Sequence, residues 1–290
     1  MTRAFKVHPA YLFLLPSATA LLVFTVWPIA QALWISLHDW SFLSDARPFI
    51  GLGNYVELLG DDRFWNAMRV TALYTMGAVP LQIGLALAVA LALNERLHGL
   101  ALFRAAFFFP VISSLAIMAI VWSFLLDPNV GVIAGWMTDL GMRRIDFLGD
   151  VTLALPAIIV VGIWKNLGFS MVILLAGLQG VPREHYEAAS IDGAGRWQRF
   201  RHITIPGLRH TLLFVVVISV IASLQVFDQI FVMTRGGPLF ATDTLVTYLY
   251  YQGFSLFRMG YASAIATILF LLILAVSAGQ LRLFRYRDVD

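Results

Sequence analysis

Residues 70–94, VTALYTMGAVPLQIGLALAVALALN, run for 25 positions without a Lys, Arg, Asp or Glu. About 20 apolar residues are enough for an α-helix to cross a hydrocarbon layer of roughly 30 Å. No water is available there for unpaired N–H and C=O groups, so a helix that closes its own hydrogen bonds is the default solution. Working outward, charge-free runs also fill 7–38, 105–126 and 259–281, and two more runs carry one charge each: 151–182 with Lys165, and 210–234 with Asp228. The pattern predicts an all-α transmembrane fold, a six-helix polytopic chain forming one transmembrane domain over 1–290. The spans are expected at about 11–37, 67–94, 103–126, 152–178, 207–233 and 259–283, with a polar loop over 182–206.

Composition agrees. Of 290 residues, 60% are hydrophobic and only 13% charged, against about 25% charged in a soluble domain. There is no cysteine, which excludes disulfides, thiolate metal sites and cysteine nucleophiles. No Lys/Arg cluster sits on a soluble module, so nucleic-acid binding has no support. Arg3 and Lys6 followed by Ala18-Thr19-Ala20 resemble a cleavable signal, but the apolar residues continue to Leu37. A signal core spans only about 7–15 residues, so the first run reads as an uncleaved span.

Basic residues set the direction of insertion. One alternate set of segments holds Arg3, Lys6, Arg96, Arg104, five arginines between 183 and 209, Arg282, Arg285 and Arg287; its 12 basic residues against six acids leave +6. The other set has seven basic residues against ten acids, or −3, and Lys165 and Asp228 cancel. The first set is therefore expected on the cytoplasmic side, with both termini inside and the 182–206 loop exposed to the cytoplasm.

That loop is helix-competent. Pro182 suits a first turn, Arg183 to Ile191 contains no breaker, and Gly193 can stop the helix or admit a close backbone. Asp192 is expected to cap a second short helix over 194–203, with Pro206 opening the next span. Taken alone, this is a helix–turn–helix at the membrane surface, with a small apolar face at Ala188, Ala189, Ile191 and Ala194. An amphipathic loop resting on lipid headgroups would look the same.

The order Glu187, Ala188, Ala189, two residues, Asp192, Gly193, Ala194, then Phe200, Ile203 and Pro206 resembles the EAA loop of the membrane subunits of binding-protein-dependent ABC importers. Ile205 stands where that family usually has Leu. The resemblance implies that Glu187, Ala188, Ala189, Asp192, Gly193 and Ala194 form a coupling helix seated in a groove of a separate ATPase. It also implies the partners: a second homologous permease, two ATPase subunits that bind the ATP and Mg, an extracytoplasmic solute-binding protein, and the lipid of a bacterial or archaeal cytoplasmic (inner) membrane.

A second resemblance covers nearly the whole chain. Phe227-Asp228, Thr234-Arg235-Gly236-Gly237-Pro238, Thr244-Leu245, Tyr248-Leu249-Tyr250, Asp127-Pro128-Asn129 and Trp164-Lys165-Asn166 are similar to the maltose- and glycerol-3-phosphate-type carbohydrate importers, and to the first permease of the pair. The implied function is half of a transmembrane pathway for a sugar, with glycerol 3-phosphate or a related polar solute as the alternative.

Lys165 lies about 13 residues before the expected cytoplasmic end of its helix, roughly 20 Å at 1.5 Å per residue, near the middle of the membrane. A charge there is costly and usually faces the bundle interior or a watery cavity. One reading lines a solute pathway with Lys165, Asn166, Gln225 and Asp228, with Trp164, Phe227 and Phe231 stacking on a sugar ring. The other pairs Lys165 with an acid and leaves the aromatics in the core or in lipid. Gln82, Asn94 and Gln179 are expected at helix–helix hydrogen bonds or helix ends.

No G-x-x-x-x-G-K-[ST], H-E-x-x-H or G-x-S-x-G occurs, so the chain carries no ATP-binding P-loop and neither hydrolase signature. His185, His202 and His210 are not spaced as a helical metal pair, and no metal site or resident cofactor is expected. A polytopic enzyme using Lys165 and Asp228 as an acid–base pair, or a secondary transporter with an inverted repeat, are the rival classes.

Overall fold

The computed structural model describes residues 9–95 and 99–286. Arg3, Lys6, Arg96, Arg287, Asp288 and Asp290, which entered the charge balance, lie outside the described residues. Among the described residues the regular structure is helical, with only isolated bridges such as His38 with Phe49. In chain order the helices are α1 (Pro9–Leu21), continued through a π turn (Leu22–Val26) into α2 (Trp27–Ile35), α3 (Gly53–Leu59), α4 (Asp62–Asn94), α5 (Leu100–Ile112), α6 (Leu115–Leu125), α7 (Val132–Asp139) and α8 (Ala154–Gln179). Then follow α9 (Arg183–Ile191), α10 (Arg196–Arg199), a π turn (Phe200–Thr204), α11 (Ile205–Gly207), α12 (Arg209–Leu224), α13 (Asp228–Met233), α14 (Leu245–Tyr250) and α15 (Met259–Tyr286).

Among the described residues five stretches are long and apolar enough to cross a membrane: Phe13–Ile35, Asp62–Asn94, Ala154–Gln179, Arg209–Met233 and Met259–Leu283. The third expected span, 103–126, is not a single rod. It consists of α5 and α6, bent by 100°. Ser113 and Ser114 both leave helical geometry (ψ 148° and 128°), three and four residues after Pro110. Hydropathy counts apolar residues and is blind to such a turn. The fifth expected span is also interrupted, at Gln225–Phe227 between α12 and α13.

Two compact units divide the chain: residues 1–61 with 249–270, and residues 62–248 with 271–290. In the first, the Asn54 amide donates to the carbonyls of Ser36 (2.8 Å) and His38 (3.1 Å). Arg258 pairs with Glu57 at 2.6 Å. A Cβ at Gly260 would lie 2.0 Å from the His38 carbonyl oxygen, so only glycine admits this close approach.

The second unit is built on α4 against α8. Lipid is as apolar as a leucine side chain, so small residues and interhelical hydrogen bonds hold such helices together. Ala78, Gln82, Ala86 and Ala90 recur every fourth residue of α4 and are all buried. As expected of it, Gln82 crosses to other helices, donating to Ser170 of α8 (2.8 Å) and Ser219 of α12 (3.4 Å). Gln229 of α13 donates to the Tyr74 hydroxyl of α4 at 2.5 Å. A Cβ at Gly162 would meet that hydroxyl at 2.3 Å. Asn94 and Gln179 are the last residues of α4 and α8.

Candidate functional site

Helix α9 carries Glu187, Ala188 and Ala189, and no residue of it is buried. Pro182, at φ −59° and ψ 133°, is the residue before the first turn rather than within it, and Glu184 places a negative charge near the positive helix end. The helix stops by a Schellman arrangement. Ala194 N–H donates to the Ala189 carbonyl (2.8 Å) and Gly193 N–H to that of Ser190 (3.2 Å), with Gly193 left-handed at φ +77°. Asp192 is the last cap of this helix. It does not cap the next one, as the sequence reading had it: the second helix starts later, at Arg196, where the Gln198 side chain accepts the Gly195 N–H at 2.7 Å. A glutamine three residues into a helix reaches back to the cap in this way.

The loop is tied at its base. Tyr186 and Thr204 hydroxyls meet at 3.0 Å, Arg199 donates to Ser190 at 3.0 Å, and Gly207 rests against Val181, where a Cβ would sit 2.9 Å from a methyl. Ala189, Asp192, Gly193 and Ala194 line one shallow concavity of about 310 Å³. Ala188 lines a neighbouring one and Glu187 a third, beside Arg183 and Arg196. The tip remains apolar and uncovered: Ile191 is 88% and Trp197 69% exposed.

The polar residues within the spans separate into two kinds. Lys165 is buried, and its ammonium donates to the carbonyls of Pro110 (2.5 Å), Val111 (2.8 Å) and Ser113 (2.8 Å). Neither expectation for it, a solute or an acid, named these partners. Asn166, Gln225 and Asp228 are exposed on the surface of this chain. Asn166 donates back to the Gly162 carbonyl of its own helix at 2.9 Å. Trp164 meets Trp122 edge-on at 5.5 Å, and Phe227 stacks on Phe231 at 5.1 Å.

Two segments between the spans that were singled out in the sequence are tight turns. Asp127 accepts the N–H groups of Asn129 (2.8 Å) and Val130 (3.0 Å), which hold its carboxyl below the ordinary range. After α13 the backbone is left-handed at Arg235, Gly236, Leu239 and Phe240. The segment folds over Asp243, which is fully buried and paired with Arg63 at 2.8 Å. The guanidinium also lies over the rings of Phe240 (4.2 Å) and Tyr248 (4.9 Å). Burial pushes the Asp243 carboxyl up, against the hydrogen bond and charge of Arg63. The sequence reading missed Asp243, because its partner lies 180 residues away.

Residues 68–286 match the family described as binding-protein-dependent transport system inner membrane component. This chain belongs to that family. The permease is 37% identical over 278 residues to the trehalose/maltose transport system permease protein MalF of Thermococcus litoralis, covering 96% of this chain and 94% of the relative. It is 33% identical over 280 residues to the sulfoquinovosyl glycerol transport system permease protein SmoG of Agrobacterium fabrum, covering 96% and 91%. Its fold matches a chain of a bacterial ABC transporter involved in the import of the acidic polysaccharide alginate, with a TM-score of 0.84 at 25% identity over 96% of this chain and 95% of that one. An alginate transporter has also been solved with an alginate-pentasaccharide-bound periplasmic protein. The permease is thus a multi-pass inner-membrane transport subunit of a family that is not enzymatic.

Proposed function

We propose that this permease forms half of the transmembrane pathway of a sugar importer and is driven by ATP bound and hydrolysed, with Mg, on a separate ATPase subunit. The observation that carries this reading is α9: an exposed helix, stopped at Gly193, whose small residues line a concavity open to a partner. Bulky side chains there would hold two surfaces apart. The complex would comprise a second homologous permease, two ATPase subunits and an extracytoplasmic solute-binding protein, with both termini of this chain cytoplasmic. Closure of the ATPase dimer would swing the membrane helices as rigid bodies.

Asn166, Gln225 and Asp228 are hydrogen-bonding side chains exposed on membrane segments of this chain. Such groups are costly against lipid, so they are assigned to the side facing the second permease and the solute. The names of two relatives point to sugars. A phosphorylated solute would want free positive charge deep in the spans, and Lys165 has its three protons on main-chain carbonyls. A neutral sugar therefore fits better than glycerol 3-phosphate.

The test is uptake by proteoliposomes holding the complete transporter with its binding protein. ATP-dependent accumulation of a neutral oligosaccharide, unaffected by excess glycerol 3-phosphate, is expected. Uptake of glycerol 3-phosphate alone would overturn the choice of solute. Uptake driven by an ion gradient without ATP would overturn the importer reading.

A further inference from the structure

Helix α5 has 13 residues, so it rises only about 20 Å and cannot cross a hydrocarbon layer of about 30 Å. Its last carbonyls therefore lie in apolar surroundings. In a straight helix the carbonyls of Pro110, Val111 and Ser113 would accept the N–H groups of residues 114, 115 and 117, four positions on. The turn at Ser113–Ser114 removes those donors, leaving Pro110 only a long bond from the Ser113 N–H (3.3 Å). A carbonyl left unpaired in hydrocarbon costs several kcal/mol.

Lys165 takes the place of the missing turn. An ammonium has three donors and no acceptor, and all three meet those carbonyls at 2.5–2.8 Å. The negative end of the α5 dipole favours a cation at that point, so these carbonyls serve as its counter-charge. One turn further along α8, a Cβ on Gly168 would lie 2.0 Å from the Phe107 carbonyl oxygen, so a glycine is needed for α5 to lie this close. On the other side of Lys165, Trp164 meets Trp122 of α6. Three positions of α8 thus hold both arms of the bend and its corner.

Helix α8 is unbroken from Ala154 to Gln179, and only Gly180, Val181 and Pro182 separate it from α9. We infer that Lys165 and Gly168 clamp the broken third span onto α8, making Lys165 a positioning residue that lets motion of the 183–191 helix move that span. The inference deepens the coupling reading above and rests on it. The distance arm of its test does not.

The chain has no cysteine, so single pairs of spin labels can be placed at Leu102 on α5 and Phe124 on α6, both exposed (76% and 57%). A narrow distance distribution is expected for the parent in lipid nanodiscs, and a broad or lengthened one for Lys165→Met and for Gly168→Ala. In the complete transporter both variants should keep ATP hydrolysis and the solute KM, while uptake per ATP falls at least about tenfold. Parent-like distances in a folded variant would overturn the clamp whether or not the chain couples to an ATPase. So would a raised solute KM in Lys165→Met with Gly168→Ala silent, which would make Lys165 a solute ligand. Changed distances with uptake per ATP intact would overturn the transmission role. If Lys165→Met does not fold, Gly168→Ala decides by the same readouts.

Discussion

The Ala194 N–H donates to the Ala189 carbonyl at 2.8 Å, and this bond closes the end of α9, the exposed helix whose sequence resembles the EAA loop. It forms only because Gly193 between them is left-handed at φ +77°. Spacing alone places an alanine, an aspartate, a glycine and an alanine in order. The bond shows what the order does: it turns the chain sharply so that four motif residues line one concavity.

Replacing Gly193 tests shape and contact separately. A Cβ there meets open space, so the cost is the left-handed backbone, about 1 kcal/mol for most residues and less for Asn. Gly193→Asn is expected to leave membrane insertion and thermal stability near the parent. Uptake should nevertheless fall at least about tenfold, because the side chain projects into the proposed docking surface. Thermal unfolding and uptake measured on the same preparation check both halves.

A methyl at Gly162 has no room. Its Cβ would lie 2.3 Å from the Tyr74 hydroxyl and 2.9 Å from the Gln229 amide. Gly162→Ala is expected to lose about 1–3 kcal/mol, the usual cost of overpacking a tight interior, read as a lowered midpoint of unfolding in detergent.

The Gln82–Ser170 hydrogen bond has a smaller expected value. A double-mutant cycle of Gln82→Leu and Ser170→Ala should give a coupling of about 0.6 kcal/mol, typical of polar pairs between membrane helices. A coupling well above about 2 kcal/mol would mean that Ser219 and further groups act as one network.

Asp243 predicts a pH dependence. Its folded carboxyl binds a proton more tightly than the unfolded one, since burial raises it. The group's contribution to stability is therefore fully present below the ordinary carboxylate value and falls as pH rises through the window up to the raised folded value. Compared with Asp243→Asn, the parent should gain in unfolding midpoint as pH is lowered through that window. Arg63→Met should extend the window upward and cost about 3 kcal/mol near neutrality, because it leaves a buried carboxylate unpaired.

The membrane helices and the polar helical loop over 182–206 were legible in the sequence for a definite reason. A run such as 70–94 has no alternative in lipid, and α4 differs from the expected span chiefly by starting earlier, at Asp62. That extension carries Arg63, which a hydropathy reading discards. What was hidden depends on residues far apart in the chain. Pro110 and the two serines were visible, but the 100° bend is held by Lys165, more than 50 residues on. Asp228 drew attention as a charge inside an apolar run and proves exposed, whereas the buried acid is Asp243, in a segment that read as an ordinary loop. In the 182–206 loop a helix over Arg183–Ile191 stopped at Gly193 was expected and is present, but the start of the second helix was misplaced, because Gln198 rather than Asp192 accepts the N–H of the residue ahead of it, Gly195.

The central claim, that the 183–194 segment docks an ATPase, is tested most directly by purifying the tagged permease from its native membrane in mild detergent and weighing the intact complex. The account predicts a particle containing an ATPase dimer and a second permease for the parent chain, and loss of the ATPase alone for Gly193→Asp. A parent chain recovered folded without an ATPase, or a Gly193→Asp variant that retains one in full, would contradict it.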